Sequence, residues 1–356
     1  MNKIIEEDLF NILSDTNIEW SKFKDSTFLI TGANGMLPAY LVFTLLKLNE
    51  IHNYNIHVIA LIRNEKKARL KFERYLNDSH LDFIVQDVCE PIHINRNVDY
   101  IIHAAGQANI NFYETDPVGT INVNVIGTIN TLKLAYEKQV KSYLYFSSGE
   151  VYGRIAPEKC PFNEQDYGYI DLLNVRNCYG ESKRLGENLC VAWHEQYNVP
   201  TKIVRIFHTY GPGLDLNDPR IFAYFCKKII ANENIVLKSD GSAIRTFCYI
   251  SDAIKAYFKI LLDGGSPEAY NVTNPNCEIS IWELANLVVS LYPKKNIKAQ
   301  RMETCKNKDY SPIQISIPDC SKILQLGWSP SVTLSEGFLR TIESFIEEYE
   351  RKMHLM

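Results

Sequence analysis

Short apolar runs alternating with helical stretches constrain this chain more than any other feature. Thr27-Phe28-Leu29-Ile30, His57 to Ile62, Phe83-Ile84-Val85, Asp99 to His103, Tyr143 to Phe146 and Lys202 to Ile206 read as strands. Helices are read over residues 39–48 and 122–138 and around Tyr179. Strands separated by helices must cross over, which yields a parallel sheet with helices on both faces. The strands are continuous runs rather than apolar–polar alternations, as expected when both faces are covered. The predicted class is α/β, a doubly wound parallel sheet.

Residues 1–24 carry Ile5, Leu9, Ile12 and Leu13 at helical spacing and read as a helical extension packed on the main body. Residues 25–206 form the doubly wound unit. Beyond Tyr210-Gly211-Pro212-Gly213 the rhythm loosens, and turn-rich segments such as Asp263-Gly264-Gly265-Ser266-Pro267 and Asn274-Pro275-Asn276 separate short helices. Residues 207–356 are therefore read mainly as a smaller α/β lobe for a substrate, with some segments returning to the main sheet.

Composition matters chiefly for what it excludes. The 356 residues hold 38 Lys+Arg against 42 Asp+Glu, a net charge of -4, which argues against a nucleic-acid surface. An anionic ligand must be held by local cations. The nine cysteines are odd in number and include no Cys-x-x-Cys pair, so they read as reduced thiols rather than a disulfide frame or a metal site. The N-terminus is too acidic for a secretion signal, and the apolar stretch at 39–48 contains Thr44 and Lys47. The expectation is a soluble cytoplasmic protein without membrane or nucleic-acid partners.

Thr31-Gly32-Ala33-Asn34-Gly35-Met36-Leu37-Pro38 stands between the first strand and the first helix. The first glycine permits the tight turn and the second lets the backbone approach a pyrophosphate at the helix N-terminus. Pro38 takes the place of the usual third glycine and is tolerated in a first helical turn. This makes the doubly wound unit a Rossmann-like dinucleotide site, with Gly32, Asn34, Gly35 and Met36 at the phosphates. Strand two ends in Arg63-Asn64, where a carboxylate ordinarily binds the adenosine ribose; an arginine accommodates a 2'-phosphate instead. NAD is expected, with NADP left open by Arg63. Asp87 and Val88 follow strand three beside the adenine, and Ala104-Ala105-Gly106 follow strand four. His103 reads as a packed core residue.

Downstream of Ser147-Ser148-Gly149-Glu150 lies Tyr179-Gly180-Glu181-Ser182-Lys183. A tyrosine and a lysine four residues apart share a helical face, where the ammonium lowers the phenol's pKa and a nearby serine holds the substrate oxygen. That is proton-transfer equipment for oxidising an alcohol beside a nicotinamide.

Together these pieces resemble the extended short-chain dehydrogenase/reductase family of nucleotide-sugar epimerases, dehydratases and decarboxylases, over roughly residues 25–345. Arg176-Asn177-Cys178-Tyr179, Arg205-Ile206-Phe207-His208-Thr209-Tyr210-Gly211-Pro212 and Asp240-Gly241-Ser242-Ala243-Ile244-Arg245-Thr246-Phe247 look most like UDP-glucuronate decarboxylases. The resemblance implies Ser148, Glu150, Tyr179 and Lys183 as catalytic residues, with Tyr179 the base at O4. It implies Asn124, Tyr179 and Lys183 at the cofactor, and His208, Arg220 and Arg245 at a nucleotide-diphosphate sugar. It also implies a homodimer and a place in polysaccharide precursor synthesis.

Three positions depart from the family pattern. Gly149 replaces the aspartate of 4,6-dehydratases and the serine common in decarboxylases, His208 replaces an asparagine, and Pro219 a glycine. The reaction expected from the resemblance is transient C4 oxidation followed by decarboxylation of a UDP-hexuronate. The alternatives are 4,6-dehydration, with water or His208 as the acid, C4 or C5 epimerisation, and a non-enzymatic dinucleotide sensor.

Overall fold

In the computed structural model, which describes residues 1–302 and 313–354, the apolar runs become a parallel sheet. Helix α1 (Lys3–Leu13) precedes strand β1 (Thr27–Thr31). Next come α2 (Met36–His52), β2 (His57–Ile62), α3 (Glu65–Lys71), β3 (Leu81–Val85) and β4 (Tyr100–His103). Helices α4 (Asn111–Thr115) and α5 (Pro117–Lys138) lead to β5 (Ser142–Ser148), α6 (Cys178–Tyr197) and β6 (Thr201–Ile206).

Helix α5 begins well before the expected residue 122, because Pro117 opens its first turn and the Asp116 side chain accepts the Gly119 N–H. Helix α2 likewise extends beyond 39–48 at both ends, from the glycine turn to Asn53 in the left-handed region.

The second half begins with β7 (His208–Tyr210), α7 (Ile221–Ile230), β8 (Ile235–Leu237), β9 (Ile244–Tyr249) and α8 (Ile250–Asp263). Strand β10 (Glu268–Val272) follows and returns to pair in parallel with β6, completing a seven-stranded sheet of order β10-β6-β5-β4-β1-β2-β3. Turn-rich segments flank this strand in the sequence, and within it lies Asn271. Its buried amide is satisfied locally, accepting from Tyr152 Oη at 2.6 Å and donating to the Asp319 carbonyl at 3.0 Å. Strand β11 (Glu278–Ser280), helix α9 (Ile281–Ser290), β12 (Ala299–Arg301), β13 (Ile315–Ser316), α10 (Ser321–Gln325) and α11 (Leu334–His354) follow. A small mixed sheet is built on β9, which pairs with β7, β11 and β13.

Alternate residues of each main-sheet strand enter different cores. Phe28, Ile30 and Phe146 pack with α1, α2 and α8 on one face, while Leu29, Ile101 and Tyr145 pack with α5 and α6 on the other. Covering both faces is what made the strands continuous apolar runs. It also brings the C-terminal ends of β1, β2, β4 and β5 to one rim, where a doubly wound sheet binds its ligand.

Candidate active site

A cleft of about 720 Å³ opens at that rim. Its floor is the turn after β1. Gly32 adopts φ +62°, and a Cβ there would stand 2.9 Å from Ala105 Cα. Thr31 Oγ1 ties the two loops together, accepting the Ala104 and Ala105 N–H groups at 3.1 and 3.0 Å and lying 2.8 Å from His103 Nδ1. Sequence reasoning missed Thr31, whose role depends on β1 and β4 being neighbours.

A dinucleotide fits this floor. Gly32, Asn34, Gly35, Met36, Ala104, Ala105 and Gly106 line it with backbone and small side chains, and the buried Asn124 leaves its Oδ1 without a partner beneath Gly106. Asn124 donates to Ser182 Oγ at 2.9 Å. Val88 and Arg63 line the far end; Asp87 stands outside the lining, 3.7 Å from Arg63.

The reacting end is organised by β5 and α6. Ser148, Tyr179, Lys183 and Arg220 line one cavity, and Tyr179 and Lys183 are both buried. The tyrosine does not behave as its spacing predicts. Burial pushes Tyr179 up to about 12, opposed by the Ser148 hydroxyl and, more weakly, by Arg220, while Glu150 adds to the rise. Burial pulls Lys183 down to about 7. The expected lowering of the phenol's pKa by Lys183 is therefore corrected: desolvation favours the neutral form of both groups. Lys183 Nζ donates to the Phe146 carbonyl at 2.7 Å and lies 4.8 and 5.8 Å from the Tyr145 and Tyr179 ring centroids. Tyr113, which the sequence did not single out, stacks on Tyr179 at 4.8 Å and 13°.

The remaining expected residues are placed unequally. Arg220 reaches the cleft with its guanidinium held by the Asp218 carboxylate at 2.6 to 3.1 Å. Glu150 is exposed just past β5, its N–H donating to Ser148 Oγ at 3.2 Å. His208 and Arg245 are not among the residues lining this cleft, and Arg245 donates to the carbonyls of Ile244, Ile313 and Gln314. Burial, Arg245 and Arg220 push His208 down to about 3. These surroundings favour the uncharged imidazole, which makes His208 a poor proton donor to a leaving hydroxyl. His103 is a buried core residue, also pushed to about 3 by burial and Lys183. At Gly149 a Cβ would meet the Phe207 ring at 2.6 Å.

A family model described as the NAD dependent epimerase/dehydratase family matches residues 28–273. UDP-glucuronic acid decarboxylase 6 of Arabidopsis thaliana is 34% identical over 328 residues, 91% of each chain. UDP-glucuronic acid decarboxylase 1 of Danio rerio is 32% identical over 91% of this chain and 73% of its own. Among solved structures, UDP-glucuronic acid 4-epimerase from Bacillus cereus, crystallised with UDP-glucuronic acid and NAD, superposes with a TM-score of 0.72. It is 21% identical and covers 91% of this chain and 100% of its own.

Proposed function

On the premise that the chain belongs to the NAD dependent epimerase/dehydratase family, we propose that it decarboxylates a UDP-hexuronate, UDP-glucuronate being the first candidate. The observation that carries this choice within the family is the Phe207 ring packed against Gly149. Elimination of water from C6 needs an acid for the departing hydroxyl. Position 149 has neither a side chain nor room for one beside the Phe207 ring. Burial with Arg245 and Arg220 favours the uncharged form of His208, which leaves water as the acid a dehydration would have to use. Decarboxylation has no leaving hydroxyl to protonate; the proton it needs goes to C5 after carbon dioxide has left.

Bound NAD supplies reversible hydride exchange at C4 of the sugar. Tyr179 takes the O4 proton as the phenolate, the form that the Ser148 hydroxyl favours. With C4 a ketone, the C6 carboxylate is β to a carbonyl. The C5–C6 bond breaks, carbon dioxide leaves, and the electron pair passes onto O4, where Tyr179 and Ser148 hold the developing charge. C5 then takes a proton from water, the hydride returns to C4, and Tyr179 gives its proton back to O4. Arg220, fixed by Asp218, is placed to hold an anionic group of the substrate, either diphosphate or carboxylate. Glu150 stands near Tyr179 and Arg245 and orients the sugar near C5.

The protein is further proposed to dimerise through the outer faces of α5 and α6, where Ile121, Tyr136, Leu185 and Tyr197 are exposed. A cytoplasmic role in polysaccharide precursor synthesis belongs to the same proposal; no described helix is long and apolar enough to cross a membrane.

Incubation with UDP-glucuronate, dTDP-glucose, UDP-N-acetylglucosamine and GDP-mannose, followed by mass spectrometry, tests the reaction. Loss of carbon dioxide from UDP-glucuronate is expected; loss of water from a neutral sugar would overturn it, and deuterium uptake at C5 without loss of mass would mean C5 epimerisation. Tyr179→Phe should lower turnover by about 10²- to 10⁴-fold with dinucleotide binding intact. Unchanged turnover would remove Tyr179 from the chemistry.

A further inference from the structure

The adenosine end of the cleft differs chemically from what its position calls for. Arg63 and Asn64 immediately follow β2 and line the cleft, joined by Lys67 from the first turns of α3. The residue just past the second strand of a doubly wound sheet meets the adenosine ribose. A carboxylate there accepts from the 2' and 3' hydroxyls and repels a 2'-phosphate, whereas a guanidinium does the reverse.

No Asp or Glu lines this cleft among the described residues, while Arg63, Lys67, Lys183 and Arg220 do. The nearby carboxylates do not cancel the pair at the adenosine end. Glu65 is engaged by Arg69 at 2.8 Å within α3. Asp87 lies 3.7 Å from Arg63, with the two side chains 40% and 58% exposed, a loose and solvated pair that yields readily to a doubly charged anion. The Asn64 side chain accepts the Lys67 N–H at 2.9 Å, fixing the turn that carries Lys67 at the rim.

We infer that Arg63 and Lys67 form a 2'-phosphate site, so that this chain takes NADP alongside NAD and holds NADP more tightly. The inference rests on the dinucleotide reading of the cleft. It does not depend on which sugar reacts.

The test is binding to the full-length chain stripped of co-purified nucleotide, by calorimetry, with NADP, NAD, 2',5'-ADP and 5'-AMP as probes. The expected result is NADP tighter than NAD, and 2',5'-ADP tighter than 5'-AMP, each by about tenfold or more. Arg63→Ala should abolish most of both preferences while NAD affinity stays within about threefold, and Arg63→Asp should reverse the order. Tighter NAD in the unaltered chain, or an unchanged NADP-to-NAD ratio in Arg63→Ala, overturns the inference and leaves the proposed function standing. Binding of neither dinucleotide would overturn both.

Discussion

Helix α6 carries Lys183 and Glu187 one turn apart, the spacing of a stabilising ion pair, yet the two do not pair. Glu187 is taken by Arg205 of β6, whose Nε and Nη2 donate to its two oxygens at 2.9 and 2.7 Å, and by the Ser147 hydroxyl at 2.5 Å. Arg205 is buried but also donates to Tyr152 Oη and the Glu164 carbonyl, both at 2.8 Å, and its pKa is raised by these partners. Lys183, equally buried, has one backbone carbonyl and aromatic faces, and its pKa falls to about 7. Two cations on adjacent elements therefore have opposite fates. The Arg205 side is a saturated network that holds β5, β6 and α6 together; the Lys183 side is left under-compensated where its charge faces the cleft. Burial alone does not distinguish a structural charge from a functional one. The number of committed partners does.

That contrast can be broken most severely from the structural side. Arg205→Leu strands the Glu187 carboxylate and should destabilise the fold by about 3–5 kcal/mol in urea denaturation. The double variant Arg205→Leu/Glu187→Leu should recover most of the loss, and equal losses in single and double variants would show that packing, not the pair, matters.

Lys183→Met should move stability the other way, gaining about 1–3 kcal/mol while turnover is lost, since it replaces a poorly compensated cation. The pH dependence checks the cause. Below about 7 the folded chain must hold the ammonium, so the penalty is fully present. Between about 7 and the ordinary 10.5 the unfolded chain binds a proton that the folded one does not, so stability rises with pH. Lys183→Met should flatten that rise; an unchanged slope would place its origin elsewhere.

The smallest effect is expected at Asp8 of α1, an intermediate case. Its carboxylate accepts from Tyr40 Oη at 3.0 Å, Tyr249 Oη at 2.8 Å and Arg340 Nη2 at 2.8 Å, joining α2, β9 and α11. Burial still raises its pKa. An amide keeps an acceptor for the tyrosines, so Asp8→Asn should cost about 1 kcal/mol in the same denaturation assay. A loss as large as that of Arg205→Leu would make α1 part of the structural network rather than a clamp upon it.

Much of this was legible in the chain. Continuous apolar runs imply strands covered on both faces, and Phe28 and Leu29 do enter opposite cores. The glycine turn at Gly32 and the Tyr179–Lys183 spacing depend on neighbours a few residues away, so local sequence carries them. Three features were not legible. Strand β10 hides among turns because its pairing with β6 spans a long stretch of chain. Tyr113 joins Tyr179 only because α4 folds back over α6.

Protonation is the third. The sequence by itself determined which titratable groups meet at the rim: Ser148, Tyr179 and Lys183, with Arg63 at the far end. Only the tertiary structure decided how burial shifts Tyr179 and Lys183 toward their neutral forms. Desolvation, and the diversion of Glu187 to Arg205, are sums over surroundings that no spacing in the chain encodes.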